Sequence, residues 1–170
     1  MKKKTERAPA PHTVVFVGGG AAGDAWMAAA LFSMLADPHR ARPILAAKIP
    51  APRALSLAAE VLRESGCDAE GVVVREPTAA LVATADVVVT MGNSFRRELL
   101  AATPHERREH WLVPEALGSS PAERTRYVFD LIRSRVAMLV LMEGWKRPDI
   151  SRETARVTRG RRTVEALASL

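Results

Sequence analysis

The chain has 170 residues, about half of them apolar (48%), which is one domain's length with enough apolar material to bury a core. One cysteine, Cys67, excludes an internal disulfide framework and a cysteine-based zinc cluster, and no apolar run approaches the ~20 residues of a membrane-spanning helix. Lys and Arg exceed Asp and Glu by six, but the excess lies largely at the two ends: Lys2, Lys3, Lys4 and Arg7, then Arg152, Arg156, Arg159, Arg161 and Arg162. Those ends carry no Phe, Tyr or Trp, so they read as solvated basic tails, with nucleic-acid binding the weaker alternative. The basic start precedes an apolar run too short for a signal-peptide core, and the expected compartment is cytoplasmic.

In chain order, residues 1–12 read as a disordered basic lead. Thr13–Val17 reads as a buried strand, Gly18–Gly23 as a glycine-rich turn, and Asp24–Ala36 as an alanine-rich helix with Met27, Leu31 and Leu35 at helical spacing. Ile44–Ala47 predicts a second strand. Pro52 opens a helix that stops at Gly66. Val72–Val74 predicts a third strand, Pro77 and Thr78 start a short helix, and Val87–Thr90 is a fourth strand. His110–Val113 is a short fifth candidate. The longest helix runs from Pro121 to about Trp145. It has one apolar stripe (Val128, Leu131, Ile132, Val136, Leu139) and a second, rotated one (Met138, Leu141, Met142, Trp145). A surface helix needs only one stripe, so the second is expected to lie under the C-terminal tail or to form a homodimer contact through residues 121–146. Alternating strands and helices predict an α/β domain with a parallel sheet over residues 13–146, followed by a basic tail, 147–170.

Strand, glycines, helix is the arrangement of an anion cradle. Backbone N–H groups point into the turn, the helix dipole favours negative charge, and glycine lets a phosphate approach the backbone. Gly18, Gly19, Gly20, Ala21, Ala22, Gly23 and Asp24 are therefore the candidate ligand-binding residues. Gly18-x-Gly20-x-x-Gly23 also satisfies a dinucleotide fingerprint, but the acidic residue that should end the second strand is missing: Asp37 precedes that strand and Glu60 lies within a helix. Asp24, directly after the last glycine, opposes an incoming pyrophosphate.

Val14–Val17, the loop and Met27-Ala28 resemble the start of the low-molecular-weight tyrosine phosphatase and arsenate reductase superfamily, whose members read like V-x-F-V-C-x-x-N-A-G-R-S-x-M-A-E-A. Ala22, Gly23, Met27, Ala28 and Ala30 agree with that pattern. Further similarities follow in order. Residues 45–50 fall where the family carries S-A-G-x-x-P, and residues 59–68 resemble its helix ending in L-x-E-x-G-I-D. Ala85–Met91 resembles A-D-L-V-V-T-M, and His110–Glu115 resembles H-W-x-x-P-D-P. The stretch Ile132 to Val136 resembles part of the last helix. The resemblance covers about residues 13–143. It implies a three-layer α/β/α fold with a four-stranded parallel sheet of order 2-1-3-4.

That family works through a cysteine nucleophile in the cradle and an arginine that clamps the oxyanion. In this sequence the matching positions hold Gly18 and Asp24, the loop-ordering asparagine is Ala21 and the supporting serine is Ala25. Where the family has its Asp-Pro general acid, Glu115-Ala116 stands as a vestigial acid. Where thioredoxin-linked reductases place a second cysteine, the chain has residues near Asn93. The resemblance thus implies an inactive member that uses no cofactor or metal and binds a protein partner or a small anionic ligand. An enzyme with replaced chemistry, or an anion or dinucleotide binder using loop 18–23, is the alternative. Asp24 is a first-turn helix carboxylate, favoured by the dipole, or folds back into the old anion site, or, as the weakest alternative, attracts a cation or amine. Cys67 reads as a small buried hydrophobe, the four histidines show no metal-ligand spacing, and Trp26 is expected at the cradle mouth.

Overall fold

A computed structural model of the chain describes residues 9–18, 22–48, 52–69, 71–92, 97–115 and 118–148. Of the lead expected over residues 1–12, residues 1–8 lie outside the described residues and His12 is already in β1; of the tail expected over 147–170, Arg147 donates its N–H to the Leu35 carbonyl and residues 149–170 lie outside the described residues. Five parallel strands, β1 (His12–Val17), β2 (Ala41–Ala46), β3 (Val73–Arg75), β4 (Val87–Met91) and β5 (Arg108–Trp111), form one sheet in the order β3-β2-β1-β4-β5. The helices are α1 (Ala22–Leu35), α2 (Pro52–Glu64), α3 (Ala79–Ala83), α4 (Arg97–Ala102) and α5 (Pro121–Met142).

The period-two alternation of β1 divides the core into two layers. Val14 and Phe16 face the layer built from α1, α2 and α5; Val15 and Val17 face the smaller layer containing Val82, Ala85 and Leu99. β4 splits in the same way, Val89 and Met91 to the first side and Val88 to the second. Strands buried on both faces read as continuous apolar runs, which is why β1 and β4 were visible in the sequence.

The sheet has five strands where the family resemblance implied four. The additional strand, β3, pairs with β2 through only Ile44↔Val73, Leu45↔Val74 and Ala46↔Arg75, and its three residues are exposed. Without it, the other four keep the expected order. β2 starts earlier than its apolar residues suggested and contains Pro43. Ala47 donates its N–H to Arg75, so by alternation Pro43 faces the same side, below the point where β3 begins, and its missing N–H breaks no ladder there. β5 runs over Arg108–Trp111 rather than His110–Val113, because an edge strand accepts Arg108 and Glu109 that an apolar-run reading passes over.

The middle of helix α1, from Met27 to Phe32, is enclosed on all sides. Ala25, Met27, Ala28, Ala29, Ala30, Leu31 and Phe32 are wholly buried between the sheet, α2 and α5. It begins at Ala22, two residues ahead of expectation, so Asp24 sits inside its first turn.

Helix α5 starts at a firm cap. Ser120 Oγ accepts from the Glu123 amide at 3.2 Å, and Glu123 Oε2 accepts from the Ser119 amide and hydroxyl, both at 2.7 Å. The helix ends at Met142. Gly144 (φ 70°) then turns the chain so that the Trp145 amide bonds the Val140 carbonyl and the indole packs edge-on to Phe32. Trp145 is therefore buried beyond the helix end, whereas Met138, Leu141 and Met142 are more than half exposed. The expected cover for those three, the tail, falls outside the described residues. No helix among the described residues is long and apolar enough to cross a membrane.

Candidate functional site

In open α/β sheets, ligands bind beyond the carboxyl ends of the strands where the chain reverses its direction of winding. Here that point lies beside β1: the chain leaves β1 for β2 on one side and reaches β4 on the other. The glycine loop follows β1 at this position. Gly18 stands at its start, with its N–H donated to the Ala46 carbonyl at 3.2 Å, so this first amide extends the β1–β2 ladder. Gly19, Gly20 and Ala21 lie outside the described residues. Ala22 opens α1 and Gly23 is buried in its first turn. The amides of that turn have no carbonyl partner within the helix.

Asp24 is 8% exposed. Its two carboxylate oxygens accept from one guanidinium: Arg124 Nη1 donates to Oδ1 at 3.2 Å and Nη2 to Oδ2 at 2.9 Å. This fork turns the carboxylate toward α5, and Asp24 matches its reading as a first-turn helix carboxylate. Arg124 Nε donates in turn to the carbonyls of Pro114 at 3.0 Å and Glu115 at 3.1 Å. One arginine thus joins three segments: the first turn of α1, the first turn of α5 and the loop after β5. The hydrogen bond to Asp24 raises the Arg124 pKa, burial opposes it, and the charges of Asp24 and Glu115 add to the rise.

Glu115, the candidate vestigial acid, is exposed, and its backbone carbonyl is the group bonded to Arg124. Arg124 is the residue the sequence reading missed. The charge reversal at Asp24 signals a need for a compensating cation, but the partner lies 100 positions away among 25 Lys and Arg residues.

The remaining candidates are separate from this cluster. His110 is exposed on the edge strand, with Nδ1 at 3.0 Å from Thr90 Oγ1. Trp26 is half-buried and, with Leu62, Arg63, Cys67 and Asp68, lines an open cavity of about 500 Å³ toward the end of α2. Cys67 is 6% exposed, and burial, then Asp68, pushes its thiol pKa up, which is the behaviour of an inert packed thiol. Among the described residues no three His, Cys, Asp or Glu side chains gather as a metal site.

This architecture is shared with solved structures of one group of proteins. A thioredoxin-dependent arsenate reductase of Corynebacterium glutamicum aligns over 81% of this chain with a TM-score of 0.57 and 21% identity; the chain spans 64% of that reductase's length. The low-molecular-weight protein tyrosine phosphatase of T. tengcongensis aligns over 77% of this chain and 99% of its own, with a TM-score of 0.58 and 21% identity. Vibrio vulnificus Wzb, solved in complex with benzylphosphonate, aligns over 77% and 98%, with a TM-score of 0.59 and 16% identity. No protein-family model and no curated protein sequence matches the chain. The fold is that of the low-molecular-weight tyrosine phosphatases and arsenate reductases.

Proposed function

We propose that the chain is a catalytically inactive counterpart of the low-molecular-weight phosphatases and arsenate reductases, acting in the cytoplasm as a binding or regulatory module. The observation that carries this reading is the pairing of Asp24 with Arg124 directly after the glycine loop. By resemblance, Asp24 stands where an oxyanion-clamping arginine belongs, and Gly18 where a thiolate nucleophile belongs. Glycine has no side chain to form a covalent intermediate, and a carboxylate repels the oxyanion that an arginine attracts. Glu115 retains a proton-transfer group, but with no nucleophile to serve.

The partner is a protein or a small anionic ligand. The exposed Tyr127, Met138, Leu141 and Met142 on α5 support a protein contact there, a second copy of the chain included. The dinucleotide alternative gains nothing from the structure: β2 ends in Ala46, and Ala47 and Lys48 follow, with no carboxylate for a ribose.

The test is steady-state turnover of p-nitrophenyl phosphate and thioredoxin-coupled reduction of arsenate by the full chain. Background rates are expected for both. Saturable turnover that co-purifies with the protein overturns the reading.

A further inference from the structure

Helix α5 buries one face and shows another to solvent. Val128, Ile132, Val136 and Leu139 are buried on the core side. On the opposite side Tyr127, Leu131, Ser134, Met138 and Leu141 recur at intervals of four, three, four and three residues. At 3.6 residues per turn they fall within an arc of about 80°. Tyr127, Ser134, Met138 and Leu141 are exposed and Leu131 is half-buried. A stripe of that width and period is the narrow seam of a pair of helices. Met142 widens it on one flank and is 77% exposed.

The residues beside the seam fit a second copy of the same helix. Asp130 lies on one flank and Arg135 on the other, five positions later. Among the described residues neither side chain has an ion-pair partner, and the Arg135 Nε is shielded from water with no hydrogen bond. In a parallel pair of helices related by a twofold axis, each flank faces the opposite flank of the partner, and a residue on one flank meets the residue five positions later. Asp130 then faces the partner's Arg135, once on each side of the axis, and Ala137 faces the partner's Met142. An antiparallel pair brings like flanks together and sets Arg135 against the partner's Arg135. Ser134 is the small residue in the middle of the seam. Its hydroxyl is already bonded to the Asp130 carbonyl at 3.1 Å, so it enters the contact without losing a hydrogen bond. Tyr127, Met138, Leu141 and Met142 are each more than half exposed. Together they offer roughly 500 Å² per copy, so two copies cover about 1,000 Å², the size at which specific interfaces begin.

We infer that the α5 seam docks a second copy of the chain as a parallel helix pair, set in register by Asp130 against the partner's Arg135. The inference rests on the reading of α5 as the contact surface of a binding module, and it names the partner. The same two charges that favour the parallel pair oppose the antiparallel one.

The experiment is sedimentation equilibrium of the full chain up to about 200 µM, a range suited to an interface of this small size. The wild type is expected to pass from 18.5 kDa to twice that mass as concentration rises. Met138→Glu places two carboxylates in the seam from an exposed position and is expected to weaken the dimer at least about tenfold. Asp130→Lys and Arg135→Glu are each expected to weaken it, and an equimolar mixture of the two to restore it, because every altered charge then meets its opposite. Leu141→Cys, oxidised in air, is expected to cross-link as a dimer, which antiparallel packing forbids. The wild type, with Cys67 buried, is the control. A wild type that stays at the monomer mass overturns the inference, and so does a dimer indifferent to Met138→Glu. A dimer that Leu141→Cys fails to cross-link, or a mixture no stronger than its parts, overturns the parallel register. If circular dichroism shows Arg135→Glu unfolded, Met138→Glu and the cross-link decide. p-Nitrophenyl phosphate turnover is measured on the same samples. Turnover by wild type overturns the inactive reading and leaves the pairing of α5 to be decided by sedimentation.

Discussion

Removing Arg124 should destabilise the protein more than removing the charge it neutralises. The two side chains of the pair are 19% and 11% exposed, so the ion pair is largely withdrawn from water. Arg124→Met keeps most of the apolar stem but deletes the fork on Asp24 and both carbonyl contacts. It leaves a carboxylate with little solvent, softened by its place in the first turn of α1. Breaking a fully buried pair costs about 3–5 kcal/mol; the residual exposure and the helix dipole reduce this to about 2–4 kcal/mol. Asp24→Asn leaves an amide oxygen that still accepts from Arg124, and the guanidinium keeps Pro114 and Glu115, so its cost is about 1–2 kcal/mol. The double variant Asp24→Asn/Arg124→Met should show a coupling of about 1–2 kcal/mol. Urea unfolding followed by far-UV circular dichroism measures all four corners of the cycle, and the Arg124→Met melting point should fall by about 5–10 °C. If Arg124→Met lies within about 0.5 kcal/mol of wild type, or if Asp24→Asn is the more damaging change, then Arg124 does not hold the three segments together.

Other outcomes follow from local geometry. Burial pushes the Asp86 carboxyl up, but the Thr13 amide at 2.7 Å and then His12 pull it below its ordinary value. A depressed carboxyl stabilises the fold above its unfolded pKa of about 4, and that contribution is lost as pH falls through the folded value. Asp86→Asn should therefore lower stability at pH 6 by under about 1 kcal/mol, since the group is half-exposed, and the gap in urea midpoint should narrow as the pH falls below the unfolded value of about 4. Gly118 has φ of 76°, and a Cβ there meets Glu123 Cβ at 2.9 Å. Gly118→Ala should thus cost about 1–2 kcal/mol by thermal unfolding and loosen the α5 cap. Cys67, with its raised pKa and 6% exposure, should react with iodoacetamide at pH 7.5 far more slowly in the folded chain than in urea.

Most of the fold was legible because its strands are buried on both faces. β1 and β4 carry the apolar runs Val14–Val17 and Val87–Val89, and the helices carry caps and stops such as Thr78, Ser120 and Gly66. The third strand, expected at Val72–Val74, stands at Val73–Arg75, held by three register pairs to β2 rather than by a buried face, while β5 admits Arg108 and Glu109 and β2 admits Arg42 and Pro43, so both begin earlier than their apolar residues suggested. Trp145 was read as a continuation of α5, because its spacing fits the helical period. What overrides that period is Gly144, whose left-handed turn sends the indole back onto Phe32. At the site, the positions of Gly18 and Asp24 were visible, and the partner of Asp24 was not. Nothing local in sequence distinguishes Arg124 from its neighbour Arg126, which instead pairs with Glu64 on α2. Only folding brings residues 24 and 124 into one plane. Trp26 lines the cleft near Cys67, and the loop mouth expected beside it lies outside the described residues.

The buried alanines of α1 mark where that helix packs closely on its neighbours. Ala25, Ala28, Ala29 and Ala30 leave no accessible surface, so at these positions only a methyl group separates the backbone of α1 from its neighbours. Close-packed interiors do not absorb added volume locally. A larger residue at any of these positions must lift the helix as a rigid rod, and the rod carries Asp24 at its end. The reach of Arg124 to that carboxylate is therefore governed from a distance by the smallest side chains in the core. Drift in the alanine face would alter the ion pair without touching either of its members.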